Sequence, residues 1–445
     1  MANEFKTSRK TELVALRAAE SAGYLTVGSK KYFKDQLKHK RNGTAFDYVI
    51  RDAGEYQRGI DLSGKGPSNL VEKKVTKVLN VGNVMIQTNI LEKVTDVDWD
   101  KEIAKPQGKK LINGVVQDAI NGIMGKEIDG TVVTAYDGDF GNQNTCFAGI
   151  GYGPLTDATN YLASVSDESQ YMFINPMVNS KLSNAGDAFK PTSADPIFSK
   201  GLIGKLGETE VRTNQFMPLV IITPALAADF AAHSSDGVTY AETDSDGIAT
   251  LTFTGMSTKF PKGSVVWFDN AYATDLVGDR TSSLKAFIAI EDGTANGVMV
   301  VKALSAEDWV GQGTKVLCKA DGSAFGATKS AAITAFNSGA GNAIGLEAGK
   351  WFSGICRLDG AEEFETVDEI DASNADTERA DNEGIVIFQN RAIDTIKGSN
   401  VTRWTTTVMA GIVEPRAVAL VLVKDADVNK VSLFNEKGGP SNPTF

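Results

Sequence analysis

The chain has 445 residues, 42% of them hydrophobic, and a formal charge of 45 − 56 = −11 with only two histidines. That length accommodates two to four domains with ample core, and the acidic balance argues against a protein that grips nucleic acid through clustered Lys and Arg. No run approaches the ~20 apolar residues of a bilayer span, and the opening MANEFKTSRK lacks a signal peptide's apolar core. Cys146, Cys318 and Cys356 are too scattered for a disulfide framework or a zinc site, as expected of a soluble chain made in a reducing cytoplasm.

Residues 1–35 read as an arm: Leu13, Leu16 and Ala19 fall at helical spacing within Thr11–Ala22, and Gly23 stops the run. So narrow an apolar stripe must pack on another surface. Residues 36–74 are polar, punctuated by Asn42-Gly43, Gly54, Gly59 and Gly64-Lys65-Gly66-Pro67, with one strand-like stretch at Ala45–Ile50. An extended loop, built as a two-stranded ribbon, is expected. The pattern is β-like from Val75 to Asp98, within a segment 75–149 that also holds the clearest helix, at about 107–134. Its apolar positions run from Leu111 through Ile128 to Val132 in steps of three and four. Gly114, Gly122, Gly125 and Gly130 interrupt it, each at a cost of roughly 1 kcal/mol relative to Ala, so they are candidate flex points.

Residues 150–227 look mixed, with strands expected at Tyr171–Ile174 and Phe216–Ile222. From Gly247 to Ala320 short alternating strands follow one another between turn signals, which predicts a separate all-β, barrel-like block over 228–345. Mixed texture resumes over 346–400. Residues 401–430 carry a Pro415-Arg416 turn before a buried strand at Val418–Val423, and 431–445 form a polar tail expected to dock weakly.

Chemistry-bearing patterns are sparse. Gly59–Lys65 begins like a phosphate-binding loop, but Gly66 stands where Ser or Thr would hold magnesium. His39 and His233 cannot build a multi-histidine metal site and read as surface or interface residues. Turn chemistry accounts for Asp137-Gly138-Asp139 and Asp244-Ser245-Asp246-Gly247, with a divalent-cation site as the alternative. Lys30, Lys31, Lys34, Lys38, Lys40 and Arg41 form a basic run. It reads as a solvated or docking face, ahead of a nucleic-acid patch with Tyr32 and Phe33 as stacking residues. No catalytic site, cofactor or metal is expected.

Three segments carry a family resemblance: Lys30-Lys31-Tyr32 leading into the loop, Met172–Pro176 with the later Asp195–Phe198, and Val408–Val423. With the order of parts, they resemble the HK97-like fold of tailed double-stranded-DNA bacteriophage major capsid proteins, in the subgroup with an inserted β-barrel domain. The resemblance implies an α+β chain: an N-terminal arm, an extended loop, a peripheral domain with a spine helix, and an axial domain holding an all-β insertion. It implies a non-enzymatic coat protein that assembles with itself into hexamers and pentamers, with a scaffolding protein and a portal as partners and room for a decoration protein. Assembly would take place in the host bacterial cytoplasm and yield a virion shell. The shell would enclose DNA without sequence-specific binding, and an acidic container would not pin its contents. Lys38, Lys40, Arg41, Arg51, Asp52, Glu55, Arg58 and Asp61 would make intersubunit contacts. The alternative is another phage or surface structural protein, such as a tail, decoration or adhesin component.

Overall fold

The computed structural model describes residues 2–31, 45–51, 72–78, 80–89, 100–123, 127–128, 131–132, 145–178, 202–206, 209–243, 248–311, 313–366, 377–394 and 399–425. The chain opens with α1 (Ala2–Ala19), α2 (Gly23–Thr26) and β1 (Ser29–Lys30), followed by β2 (Ala45–Arg51), β3 (Glu72–Val78) and β4 (Asn80–Asn89). A π-helical turn at Asp100–Ala104 leads into α3 (Lys105–Ile123), then a small hairpin of β5 (Glu127–Ile128) and β6 (Thr131–Val132). Next come β7 (Thr145–Gly149), α4 (Gly153–Val165), β8 (Gln170–Ile174), β9 (Leu202–Leu206), β10 (Thr209–Thr213) and β11 (Leu219–Ile222). The following block comprises α5 (Pro224–His233), β12 (Val238–Thr243), β13 (Ile248–Phe253), β14 (Val265–Thr274), β15 (Arg280–Ile288), β16 (Val298–Lys302), α6 (Ala306–Val310), β17 (Leu317–Cys318), α7 (Lys329–Gly339) and β18 (Ala343–Gly345). The chain closes with β19 (Gly349–Leu358), β20 (Glu362–Thr366), β21 (Thr377–Asn382), β22 (Ile385–Asp394), β23 (Ser399–Ile412) and β24 (Val418–Lys424).

Two large sheets organise these elements. The first has the order β1-β20-β23-β22-β21, with β4 pairing along β23 from Asn89↔Ser399 to Asn80↔Val408. The helices α1 and α3 cover it: α1 buries Val14, Ala15, Ala18 and Ala19, and α3 buries Leu111, Ile112, Val115, Val116, Ala119 and Ile120. Each fully buried Leu, Ile or Val of this kind stabilises by roughly 1.5–3 kcal/mol. The second sheet has the order β7-β24-β19-β8-β10-β9, with β11 alongside the start of β19. Its interior strand β24, between β7 and β19, is buried from Val418 to Val423, the run of apolar residues that a strand covered on both faces requires. The helix α4 packs on β24 and β7, and the block from α5 to β18 meets this sheet through its strand β15, which lies against β7.

That block leaves the second sheet at β11 and returns at β19, and the two strands are hydrogen-bonded neighbours (Ile222↔Gly349). Its strands form a three-stranded sheet, β12-β13-β16, and a four-stranded one, β15-β14-β17 with β18 on β14. Phe230, Tyr240, Phe253, Phe260, Phe268, Phe287, Trp309, Phe325 and Phe336 join in one run of ring contacts with centroids 5.2–6.4 Å apart.

Three expectations are corrected. The spine helix ends at Ile123 rather than near 134, because Gly122 weakens its last turn and Ile128 and Val132 enter the β5–β6 hairpin. The block over 228–345 is not all-β. The helix α7 is N-capped by Thr328, whose hydroxyl accepts from the Ala331 amide, and it buries Ala332 and Phe336 four residues apart. Finally, the break expected at 400 falls elsewhere. Strands β20, β21 and β22 belong with β23 in the first sheet, whereas β7 and β24 belong to the second. The chain crosses between sheets near Asp359–Ala361 and again at the Pro415–Ala417 turn, where an apolar strand can end and restart at a hydrogen-bonded corner.

Candidate functional site

The basic loop residues Lys38, Lys40 and Arg41, with Asp52, Glu55, Arg58 and Asp61, lie outside the described residues. Arg51 is described: it ends β2 opposite Glu72, in a seven-pair antiparallel ladder that begins at Ala45↔Val78. Among the flex points, Gly114 lies on the exposed side of α3, and a Cβ there would meet nothing within 4 Å. Gly122 sits in the helix's last turn, and Gly125 and Gly130 lie outside the described residues.

The glycine that α3 needs is a different one. A Cβ on Gly108 would come 2.6 Å from the Val14 carbonyl oxygen and 2.9 Å from the Ala18 amide. The arm helix and the spine helix therefore touch backbone to backbone. A polar thread continues this contact into the sheet: the Thr11 hydroxyl lies 2.7 Å from Gln389 Oε1 and 2.9 Å from Glu378 Oε2, two acceptors for its one proton, and Trp404 Nε1 donates to the same Gln389 oxygen at 3.2 Å. Thr11, Gln389 and Trp404 are all buried.

Two buried arginines fasten the outer segments to the second sheet. Arg357, on β19, is fully enclosed. Its Nη2 donates to the carbonyls of Tyr24 and Val27, at 2.5 and 2.7 Å, and its guanidinium forms a sealed ion pair with Glu362. The guanidinium lies 4.8 Å from the ring centre of Tyr24 and 5.1 Å from that of Phe173. Burial pushes the Arg357 pKa down and the Tyr24 pKa up. The arm's end is held beside this pair by parallel pairing of Ser29 and Lys30 with Glu362 and Glu363.

The second arginine, Arg416, grips Glu414 through both carboxylate oxygens, from Nε at 2.9 Å and Nη2 at 3.0 Å, and Nη1 donates to the carbonyls of Asp275 and Gly313. It thereby ties the Pro415 corner to two loops of the inserted block. Burial opposes its charge, but the Glu414 carboxylate, with Tyr161 and Asp308, outweighs that and raises its pKa. Tyr161, from α4, donates to the Arg416 carbonyl at 3.2 Å, and burial pushes its pKa up to about 12.

These groups are structural in character. Cys146 and Cys356 are enclosed, and burial pushes both thiols up, away from the reactive thiolate. Among the described residues, no three His, Cys, Asp or Glu side chains converge as metal ligands. His233 sits at the end of α5, with Nδ1 2.6 Å from Asp236 and Nε2 3.8 Å from Asp229. His39 and both Asp-Gly turns lie outside the described residues.

No protein-family profile and no curated protein matches the chain. Among solved structures it is similar to one from Mycobacterium phage Che8, at 8% identity over 89% of each chain and a TM-score of 0.40. It is similar to the head structure of Helicobacter pylori bacteriophage KHP40, at 9% identity over 86% of this chain and 85% of that one, with a TM-score of 0.41. The capsid of Ralstonia phage GP4 matches at 9% identity over 86% and 85%, with a TM-score of 0.39.

Reasoning from sequence missed Gly108, Arg357 and the Thr11 thread. Gly108 stands two residues after Pro106 at the head of the helical pattern, so it was visible as a glycine but not as a crossing point. Glu362 opens an acidic run, a visible signal for a cation whose partner only the fold supplies.

Proposed function

We propose that the chain is a major capsid protein that self-assembles into the icosahedral shell around the double-stranded DNA of a tailed bacteriophage. The observation that carries this reading is the β2–β3 ribbon. Among the described residues it forms a sheet with no third strand, and a two-stranded ribbon is marginally stable on its own in water. A neighbouring copy of the chain supplies the surface that completes it. The order of arm, ribbon, spine helix, two sheets and late-returning strands supports the same reading.

In this reading the first sheet with α1 and α3 is the peripheral domain, the second sheet is the axial domain, and the block between β11 and β19 is its insertion. The loop residues from Lys38 to Asp61 meet a neighbouring subunit. An exposed ion pair contributes only ~0–1 kcal/mol, but a symmetric shell repeats it in every subunit, so the pairs set registry. Gly114 and Gly122 within the spine, with Gly125 and Gly130 in the segment that follows it, give this region its freedom between procapsid and mature shell. The chain associates into hexamers and pentamers with a scaffolding protein and a portal, takes no cofactor and performs no catalysis. Electron microscopy of the purified chain, alone and with scaffolding protein, is expected to show shells or capsomers. A strictly monomeric chain under both conditions overturns the reading.

A further inference from the structure

Ile150 and Ile344 remain 59% and 46% exposed, and both line one cleft of about 600 Å³. Ile150 follows β7 in the second sheet, and Ile344 lies on β18 of the inserted block, so the cleft runs between the two. Trp267, Leu284, Leu346 and Trp351 complete an apolar lining. The volume is that of a pocket able to bury a few large side chains. Trp267 is fixed by its Nε1 donating to the Cys146 carbonyl at 3.1 Å.

The last described strand ends beside this cleft. Lys424, the last residue of β24, is part of its lining and pairs with Glu347, which also lines it. The Asp425 amide donates to the Lys350 carbonyl at 2.8 Å, which fixes the exit next to Trp351. Residues 426–445 follow, and their large apolar side chains before the final residue are Val428, Val431, Leu433 and Phe434. Nine extended residues reach roughly 30 Å, enough to turn back across a cleft that starts at their own anchor.

We propose that this cleft is the docking site of the chain's own C-terminal segment, with Leu433 and Phe434 entering between Ile150 and Ile344. A segment tethered at the mouth meets the cleft at an effective concentration of the order of millimolar, which favours it over the same segment from another copy.

The test uses the full-length chain carrying Ile344→Cys with Phe434→Cys, oxidised and separated without reductant. A faster-migrating monomer, absent from either single variant, is the expected result. Disulfide-linked dimers would give the cleft to a second copy, and no new disulfide would leave it without the tail; either overturns the proposal. A second measurement follows maleimide labelling at full-length Ile344→Cys with and without Phe434→Ser. Faster labelling is expected when Phe434 is replaced, and equal rates overturn the proposal.

Discussion

The inserted block and the arm–spine layer are built on opposite plans. The block draws its core from a single stretch of chain, 224–345, in which aromatic rings from β13, β14, β15 and α7 meet one another. The arm–spine layer assembles residues from 2–30, 80–123 and 362–412, and joins them with a helix crossing at Gly108, a buried hydroxyl at Thr11 and the Arg357 pair. A block with a local core can fold as a unit, whereas the layer forms only when distant segments have met. The cost of closing such long connections grows slowly with their length, so the layer's stability rests on specific contacts more than on proximity.

The comparison can be broken most forcefully at Arg357. Arg357→Ala leaves Glu362 buried without its cation and is expected to cost about 3–5 kcal/mol, read as a shift in the urea midpoint of the whole chain. The double variant Arg357→Met with Glu362→Leu should recover most of that loss, because neither charge remains buried.

In the block, Phe336→Ala removes the ring that meets Tyr240, Phe268, Phe287, Trp309 and Phe325. A loss of about 3–5 kcal/mol is expected, confined to the block, so calorimetry should resolve an early transition followed by that of the host sheets. Residues 224–346 expressed alone should give a circular dichroism spectrum of mixed strand and helix. A random-coil spectrum would show that the block depends on its host.

The two spine glycines offer a smaller contrast. Gly108→Val forces the arm away from the spine and is expected to cost about 1–3 kcal/mol. Gly114→Ala meets nothing and should stabilise by about 0.5–1 kcal/mol, measured by chemical unfolding. If Gly114→Ala also blocks shell maturation while raising stability, the flexing role proposed for that position gains direct support.

The smallest effect concerns Asp229. Hydrogen bonds from the Thr258 and Ser257 hydroxyls and amides hold its carboxyl below the usual carboxylate range. A lowered carboxylate pKa contributes stability that is complete above its ordinary value and is lost as pH falls through the lowered one. Thermal melts between about pH 6 and pH 2.5, spanning the ordinary value of about 3.9, should therefore show a shallower acid-side decline for Asp229→Asn.

Local pattern sufficed where one face of a regular element carried the signal. Alternation marked β2, β13 and β16, and continuous apolar runs marked β8 and β24. Three- and four-residue spacing located α3, whose end was misplaced because Ile128 and Val132 continue that spacing by coincidence into a hairpin. The helix α7 was missed because its Ala-rich segment follows a series of strands, and its burial depends on rings far away in sequence. Of the candidate contact residues, Arg51 alone lies among the described residues, and its partner Glu72 is set by ribbon register rather than by any motif.

By itself the sequence determined the kinds of local structure: acidic and glycine-rich connections, a spine helix, short strands with turns between them, and a Pro-Arg corner before a buried strand. These depend on backbone preference and on periodicity within about ten residues. Tertiary structure alone decided that Gly108 is a crossing point, that Arg357 answers Glu362 and the arm's carbonyls, and that β20 to β22 join β23 rather than β24. Those choices depend on which surfaces meet once the chain has closed, and one sequence does not encode them as any local pattern.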